Sequence, residues 1–219
     1  MADILRAMSN KRSIFFDLDG TLTDPYDGIR RCIEYALTEL GHPVDPDEDF
    51  RWCIGPPLMQ SFEQRLGAAL AGDALRLYRA RFSDSGWREN TPYDGIHDAL
   101  HALCSAGHTL FVATSKPAVF AERILKHFDL ARFFQAVYGP DLDGRLGDKR
   151  DLLAHMLATE SDLVDPVMVG DREHDMIGAS SNGVDTVGVL YGFGTREELL
   201  AAGAARLVES PAQLRALFG

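Results

Sequence analysis

The chain has 219 residues, 46% of them hydrophobic, enough for one sizeable core with at most a small accessory module. Its 22 basic and 33 acidic residues leave a formal charge of −11, a balance that argues against a polynucleotide partner without excluding a small anionic substrate. No apolar run reaches membrane-spanning length, and the first residues, "MADILRAMSNKR", are broken by Asp3 and Arg6 and do not read as a signal peptide. The three cysteines, Cys32, Cys53 and Cys104, lie far apart without zinc spacing and suit a reducing compartment, so a cytosolic protein is expected.

In chain order, the first element is "SIFF" (13–16), a buried strand by composition, followed at once by Asp17-Leu18-Asp19-Gly20-Thr21. Next comes a stretch without a convincing strand. Ile29, Cys32, Ile33, Ala36, Leu37 and Leu40 form a wide apolar helical face that stops at Gly41. "PPLMQSFEQRLG" (56–67) and "DALRLYRARF" (73–82) read as two further helices. Strand and helix then alternate. The strands are "TLFVAT" (109–114), "AVYG" (136–139), "PVMVG" (166–170) and "TVGVLYG" (186–192). Helical spacing appears at Ile96, Ala99, Leu100 and Leu103, at Leu152, Leu153, Met156 and Leu157, at Leu199 and Leu200, and at Leu214 and Leu217. Strand alternating with helix predicts an α/β protein, a Rossmann-like doubly wound parallel sheet. Residues 1–24 and 89–219 are expected to form its core, with 25–88 inserted as a helical subdomain. That insert either adds core or caps the strand ends. The cap is favoured, because ligands of open α/β sheets sit beyond the carboxyl ends of the strands.

Three strands end in polar residues that a parallel sheet would bring to one edge: Asp17 and Asp19, then Thr114-Ser115-Lys116, then Asp171 with Asp175 four residues on. Lys149 stands just before the helix "RDLLAHML". Carboxylates gathered at one edge repel unless a cation is bound, and hard oxygen ligands suit Mg²⁺. Asp17 is then the candidate nucleophile and metal ligand, and Asp19 the candidate general acid and base. Gly20 permits backbone approach to an anion, Thr114 offers a hydroxyl, and Lys149 supplies positive charge. The layout suits transfer of a tetrahedral oxyanion such as phosphoryl. Several readings stay open. Lys149 has close rivals in Lys116 and Arg150. Lys116 precedes Pro117, which could simply set a helix start, and Asp175 could simply favour a helix N-terminus. Gly55 and Pro56 are candidates for substrate contact or a mere helix break. Arg172 and His174 lie in the Asp171 loop, and His97, His101 and His108 make no catalytic pair. "YGFG" (191–194) is a lone glycine pair and no sign of a dinucleotide.

"DLDGT", a strand ending in Thr, a later Lys and "GDxxxD", in that order, resemble the haloacid dehalogenase-like superfamily in its phosphatase branch, with a helical cap after the first strand. The resemblance covers nearly the whole chain. It implies Asp17 as the aspartyl-phosphate nucleophile and Asp19 as the group that protonates the leaving alcohol and then activates water. It implies Thr114 and Lys149 as phosphoryl ligands, and Mg²⁺ held by Asp17, Asp171 and the backbone carbonyl of Asp19, with Asp175 a further acidic position of the metal loop. "CIGPPLMQSF", "VATSKPAVFAERILKHFDL", "GDREHDMIGASSNG" and "GVLYGFGTREELLAAGA" look like the bacterial 5′-nucleotidase-like subgroup, close to the phosphoglycolate phosphatases. The expected partner is a small phosphorylated metabolite, a nucleoside 5′-monophosphate or 2-phosphoglycolate, with no nucleic-acid polymer and no membrane. A phosphomutase would use the same aspartates, and a non-enzymatic module would be expected to have lost one of them. A dehalogenase is disfavoured, since that branch lacks the acid/base aspartate that Asp19 supplies.

Overall fold

The structure, a computed structural model, describes residues 11–55, 57–142 and 144–218. They fall into two compact units, one made of the described residues up to Thr23 with those from Pro92 on, the other of Asp24–Thr91.

The larger unit is built on a six-stranded sheet. Its strands are β1 (Ser13–Phe16), β4 (Thr109–Ala113), β5 (Ala136–Tyr138), β6 (Val167–Gly170), β7 (Asp185–Val189) and β8 (Arg206–Val208), in the order β5-β4-β1-β6-β7-β8. Every pairing is parallel, with Phe15 opposite Phe111 on one side and Met168 on the other. β1 and β6 are buried at all four positions, as continuous apolar strands covered on both faces must be. The crossover helices are α4 (Ile96–Ser105), α5 (Ala118–His127), α6 (Lys149–Thr159), α7 (Glu173–Ser181) and α8 (Arg196–Ala201), and α9 (Pro211–Phe218) closes the described chain. One core layer gathers Phe15, Phe111, Leu152, Leu153, Met156, Met168 and Ala179, with Phe15 and Phe111 edge to face at 5.5 Å. The chain passes from β1 to β4 and β5 on one side, then returns to β6, β7 and β8 on the other. The carboxyl end of β1 is therefore the switch point of the sheet, where such folds place their ligands.

The smaller unit is helical: α1 (Tyr26–Glu39), α2 (Leu58–Leu66) and α3 (Ala68–Asp84), with short 3₁₀ turns at Arg51–Cys53 and Gly86–Arg88. Ile29, Cys32, Ile33, Ala36 and Leu37 bury the predicted face of α1. Tyr78 stacks on Phe82 at 5.7 Å and meets Phe62 edge to face at 6.3 Å. Gly28 is packed so closely that a Cβ there would lie 2.4 Å from the Gly86 carbonyl oxygen. Glu89 binds both Arg81 and Arg31 and ties α1 to the end of α3.

The fold class matches the sequence reading: a doubly wound parallel sheet, with an all-helical unit after the first strand. Two features differ in detail. α3 starts earlier than the apolar spacing suggested, because "AALAGD" is rich in alanine, the best helix former. The sequence reading also lacked β8 and the two-residue strands β2 (Thr23–Asp24) and β3 (Thr91–Pro92), which pair with each other. Elements of two or three residues carry no periodicity to read.

Candidate active site

β1 hands its direction to Asp17, whose N–H continues the ladder to the Val169 carbonyl at 2.9 Å. The chain then turns sharply, and the Leu18 carbonyl accepts from the N–H groups of Leu22 and Thr23. Gly20 makes the turn possible. Its φ is +85°, and a Cβ there would lie 2.2 Å from Asp171 Oδ2. The first and third motifs thus meet through a glycine.

Asp17, Asp171 and Asp175 converge. One carboxylate oxygen from each lies within 4.8 Å of the others, and all three side chains are buried. Lys149, the first residue of α6, is buried among them. Its ammonium donates to Asp175 Oδ1 at 2.7 Å, Asp17 Oδ1 at 3.2 Å and the Ala113 carbonyl at 2.7 Å. Burial opposes the charge on Lys149, but Asp17 and Asp175 together hold its pKa above the ordinary lysine value. Burial is also the main force that raises Asp171 well above the usual carboxylate range, with the charges of Asp17 and Asp175 adding to it. Asp175 is pushed up to about 6 by burial and by Asp17, against the pull of Lys149. Three carboxylates against one ammonium leave an uncompensated negative charge in a dry place. Hard oxygen donors with that deficit fit a divalent cation such as Mg²⁺.

Asp19 stands apart from this group. Its Oδ2 lies 2.6 Å from the Lys116 ammonium. Lys116 is positioned by Thr114, whose buried hydroxyl accepts the Lys116 N–H at 3.2 Å. Ser115, between them, is exposed. The three rival cations are therefore distributed: Lys149 to Asp17, Lys116 to Asp19, and Arg150 to the surface. Asp175 caps α7 as well as binding Lys149, since its Oδ2 accepts the Arg172 N–H at 3.2 Å. The Arg172 side chain pairs with Glu198 at 2.8 Å, and His174 is exposed. Gly55 is an exposed residue of the helical unit with φ +106°, and Pro56 lies outside the described residues.

The loop after β7 contributes groups that sequence reasoning passed over. Phe193 donates its N–H to Asp171 Oδ2 at 2.8 Å, and Thr21 donates its hydroxyl to Asp171 Oδ1 at 3.3 Å. Tyr191 donates its hydroxyl to the Thr21 carbonyl at 3.1 Å, and burial, with the nearby Asp171 charge, keeps that phenol protonated. The glycine pair in "YGFG" was the available signal. The two glycines allow close approach to Asp171: a Cβ at Gly192 would fall 2.4 Å from Asp171 Cβ, and one at Gly194 would fall against the Asp171 carbonyl oxygen.

A parallel α/β sheet with buried aspartates, a lysine and a turn glycine at its switch point defines a hydrolase-type site. A family model described as haloacid dehalogenase-like hydrolase matches residues 14–189. A 5′-nucleotidase of Pseudomonas aeruginosa is 48% identical over 192 residues, covering 86% of this chain and 87% of that protein. The tyrosine-protein kinase PtkA of Mycobacterium tuberculosis is 42% identical over 83% of this chain and 62% of its own length. A phosphoglycolate phosphatase of Caulobacter vibrioides is 32% identical over 91% of this chain and 86% of that protein. Among solved structures, that of a predicted phosphatase from Clostridium acetobutylicum superimposes with a TM-score of 0.85 at 42% identity, covering 95% of this chain and 98% of that one. The chain belongs to the haloacid dehalogenase-like hydrolases, in the phosphatase branch of that family. Among the described residues no helix is long and apolar enough to cross a membrane.

Proposed function

We propose that the chain hydrolyses phosphate monoesters through a phosphorylated Asp17, with nucleoside 5′-monophosphates as its substrates. The observation that carries this reading is the buried Lys149 ammonium bound to Asp17 Oδ1, which leaves the second oxygen of that carboxylate to attack phosphorus. In the first step Asp17 forms a bond to phosphorus and the ester P–O bond breaks. Asp19, in its protonated form, gives its proton to the leaving alkoxide. In the second step the Asp19 carboxylate takes a proton from water. The water oxygen bonds to phosphorus, the bond to Asp17 breaks, and inorganic phosphate leaves. Thr114, Lys149 and the backbone at Gly20 orient the phosphoryl oxygens. Asp17, Asp171, Asp175 and the backbone of Asp19 would hold Mg²⁺, which supplies charge neutralisation for the transferring group. The helical unit follows β1 directly in the chain. We place leaving-group selectivity there, with Gly55 and Pro56 as candidate contacts. The free cysteines suit a cytosolic setting.

The choice of nucleotides is supported by the 48% identical 5′-nucleotidase, and a second reading, 2-phosphoglycolate, by the phosphoglycolate phosphatase relative. A phosphate-release screen with Mg²⁺ over nucleoside 5′-monophosphates, 2-phosphoglycolate, sugar phosphates and phosphotyrosine separates them, with Asp17→Asn as the blank. Preference for nucleotides is expected. Preference for phosphoglycolate would keep the mechanism and change the substrate. Turnover retained in folded Asp17→Asn protein would end the covalent mechanism. No release from any substrate would point to phosphoryl transfer to an acceptor other than water.

A further inference from the structure

We infer that Tyr191 is a positioning residue that fixes the Asp171 carboxylate through Thr21 and the turn of its own loop, and so sets the protein's affinity for its divalent cation. The inference rests on the reading of Asp171 as a metal ligand and goes beyond it, because it assigns a role to a loop on the far side of β7. Tyr191 and Phe193 act on the two oxygens of one carboxylate by different routes. The Tyr191 hydroxyl holds the Thr21 carbonyl at 3.1 Å, and the hydroxyl of Thr21 reaches Asp171 Oδ1 at 3.3 Å. Two residues along the loop, the Phe193 N–H holds Oδ2 at 2.8 Å. Between them Gly192 lies so close that a Cβ would fall 2.3 Å from the Gly20 carbonyl oxygen and 2.4 Å from Asp171 Cβ. The Tyr191 ring is itself fixed edge to face against Tyr93 at 4.9 Å. The loop is thereby pinned at both ends and pressed flat against Asp171 and the β1 turn. A ligating carboxylate oriented by hydrogen bonds gives up less freedom when it binds a metal, and loss of such partners weakens binding by about 10–100-fold.

The test titrates Mn²⁺ into the full, metal-free chain and reads bound ion directly, by electron paramagnetic resonance or calorimetry, beside the thermal midpoint. Wild type should bind Mn²⁺, and Asp171→Asn should lose it. Tyr191→Phe keeps the ring on Tyr93 and removes only the hydroxyl. It should bind about tenfold more weakly, in protein that still unfolds in a single cooperative transition. Thr21→Val should weaken binding as well, and the double variant should lose no more than the worse single one, because both act on one chain of contacts. Unchanged Mn²⁺ affinity in Tyr191→Phe, with Asp171→Asn inactive in binding, would overturn this inference and leave the metal site standing. Losses that simply add in the double variant would break the link through Thr21. Wild type that binds no Mn²⁺ would overturn the metal site and the inference together.

Discussion

Lys149 Nζ lies 2.7 Å from Asp175 Oδ1, and both side chains are almost wholly buried. The pair joins the start of α6 to the first turn of α7, and the same ammonium reaches Asp17. Removing one member of a buried ion pair strands the other charge, at a cost of about 3–5 kcal/mol. Lys149→Met should therefore lower the unfolding free energy at pH 7 by about that amount, as measured by urea denaturation. Added Mg²⁺ should restore part of the loss, because it supplies positive charge to the same carboxylates. A variant as stable as wild type would mean that Asp17 and Asp175 take up protons once the ammonium is gone, and that the ion pair adds nothing to stability.

The same crowding predicts an unusual pH dependence for the metal-free protein. Asp171 and Asp175 have folded pKa values above their unfolded ones, the latter near 6. The folded state then binds more protons than the unfolded chain once pH exceeds the ordinary aspartate value. Such groups stabilise fully below that value, and the stabilisation is lost as pH rises through the raised pKa. Carboxylates shifted the other way, such as Glu89 and Glu198, have delivered their stability by about pH 6. Between pH 6 and 8 the thermal midpoint in chelator should fall, and with saturating Mg²⁺ it should stay flat. A midpoint that rises over that interval without metal would show that the aspartates are already compensated.

Much of this was legible because chemistry and fold coincide at strand ends. "SIFF" followed by Asp17 and Asp19 could be read from the contrast between apolar run and paired charge, and β6 followed by Asp171 in the same way. The order of motifs along the chain then fixed which sheet edge they share. What could not be read was the partner of each charge. Lys116, Lys149 and Arg150 look alike in sequence, and only the packing of α6 beside α7 sends Lys149 inward while Arg150 stays in solvent. Thr21 and Tyr191 were hidden for a different reason. Their contacts are a single hydroxyl each, across 150 and 170 residues of chain, and no local pattern encodes such a separation.

Asp19 Oδ2 sits 2.6 Å from Lys116, outside the carboxylate cluster. The contact holds the Asp19 side chain in one orientation, clear of the groups that would hold the metal. Asp19→Asn should reduce kcat by about 10²–10⁴-fold, the usual worth of a general acid and base, and leave Mn²⁺ affinity near that of wild type. Lys116→Met should cost less, because Asp19 itself remains, and should lower kcat more than it raises KM. A rise in KM with kcat unchanged would mean that Lys116 serves the substrate and not Asp19.

His108 offers the contrasting case of a histidine outside the chemistry. It is buried, its Nδ1 accepts the Arg12 N–H at 3.0 Å, and its Nε2 lies 2.9 Å from the Phe218 carbonyl oxygen. Nδ1 must be bare to accept, so the proton sits on Nε2 and is donated to Phe218. The ring thereby ties α9 to the entry of β1, at the opposite end of that strand from Asp17. Replacing it by Phe would bury the Arg12 N–H and the Phe218 carbonyl without partners, at about 1–3 kcal/mol for each buried group left unsatisfied. His108→Phe should accordingly lower the thermal midpoint while kcat and KM for the best substrate stay within twofold of wild type below the melting range. A kcat reduced tenfold in protein shown to be folded would mean that the amino end of β1 is mechanically coupled to Asp17 at its carboxyl end.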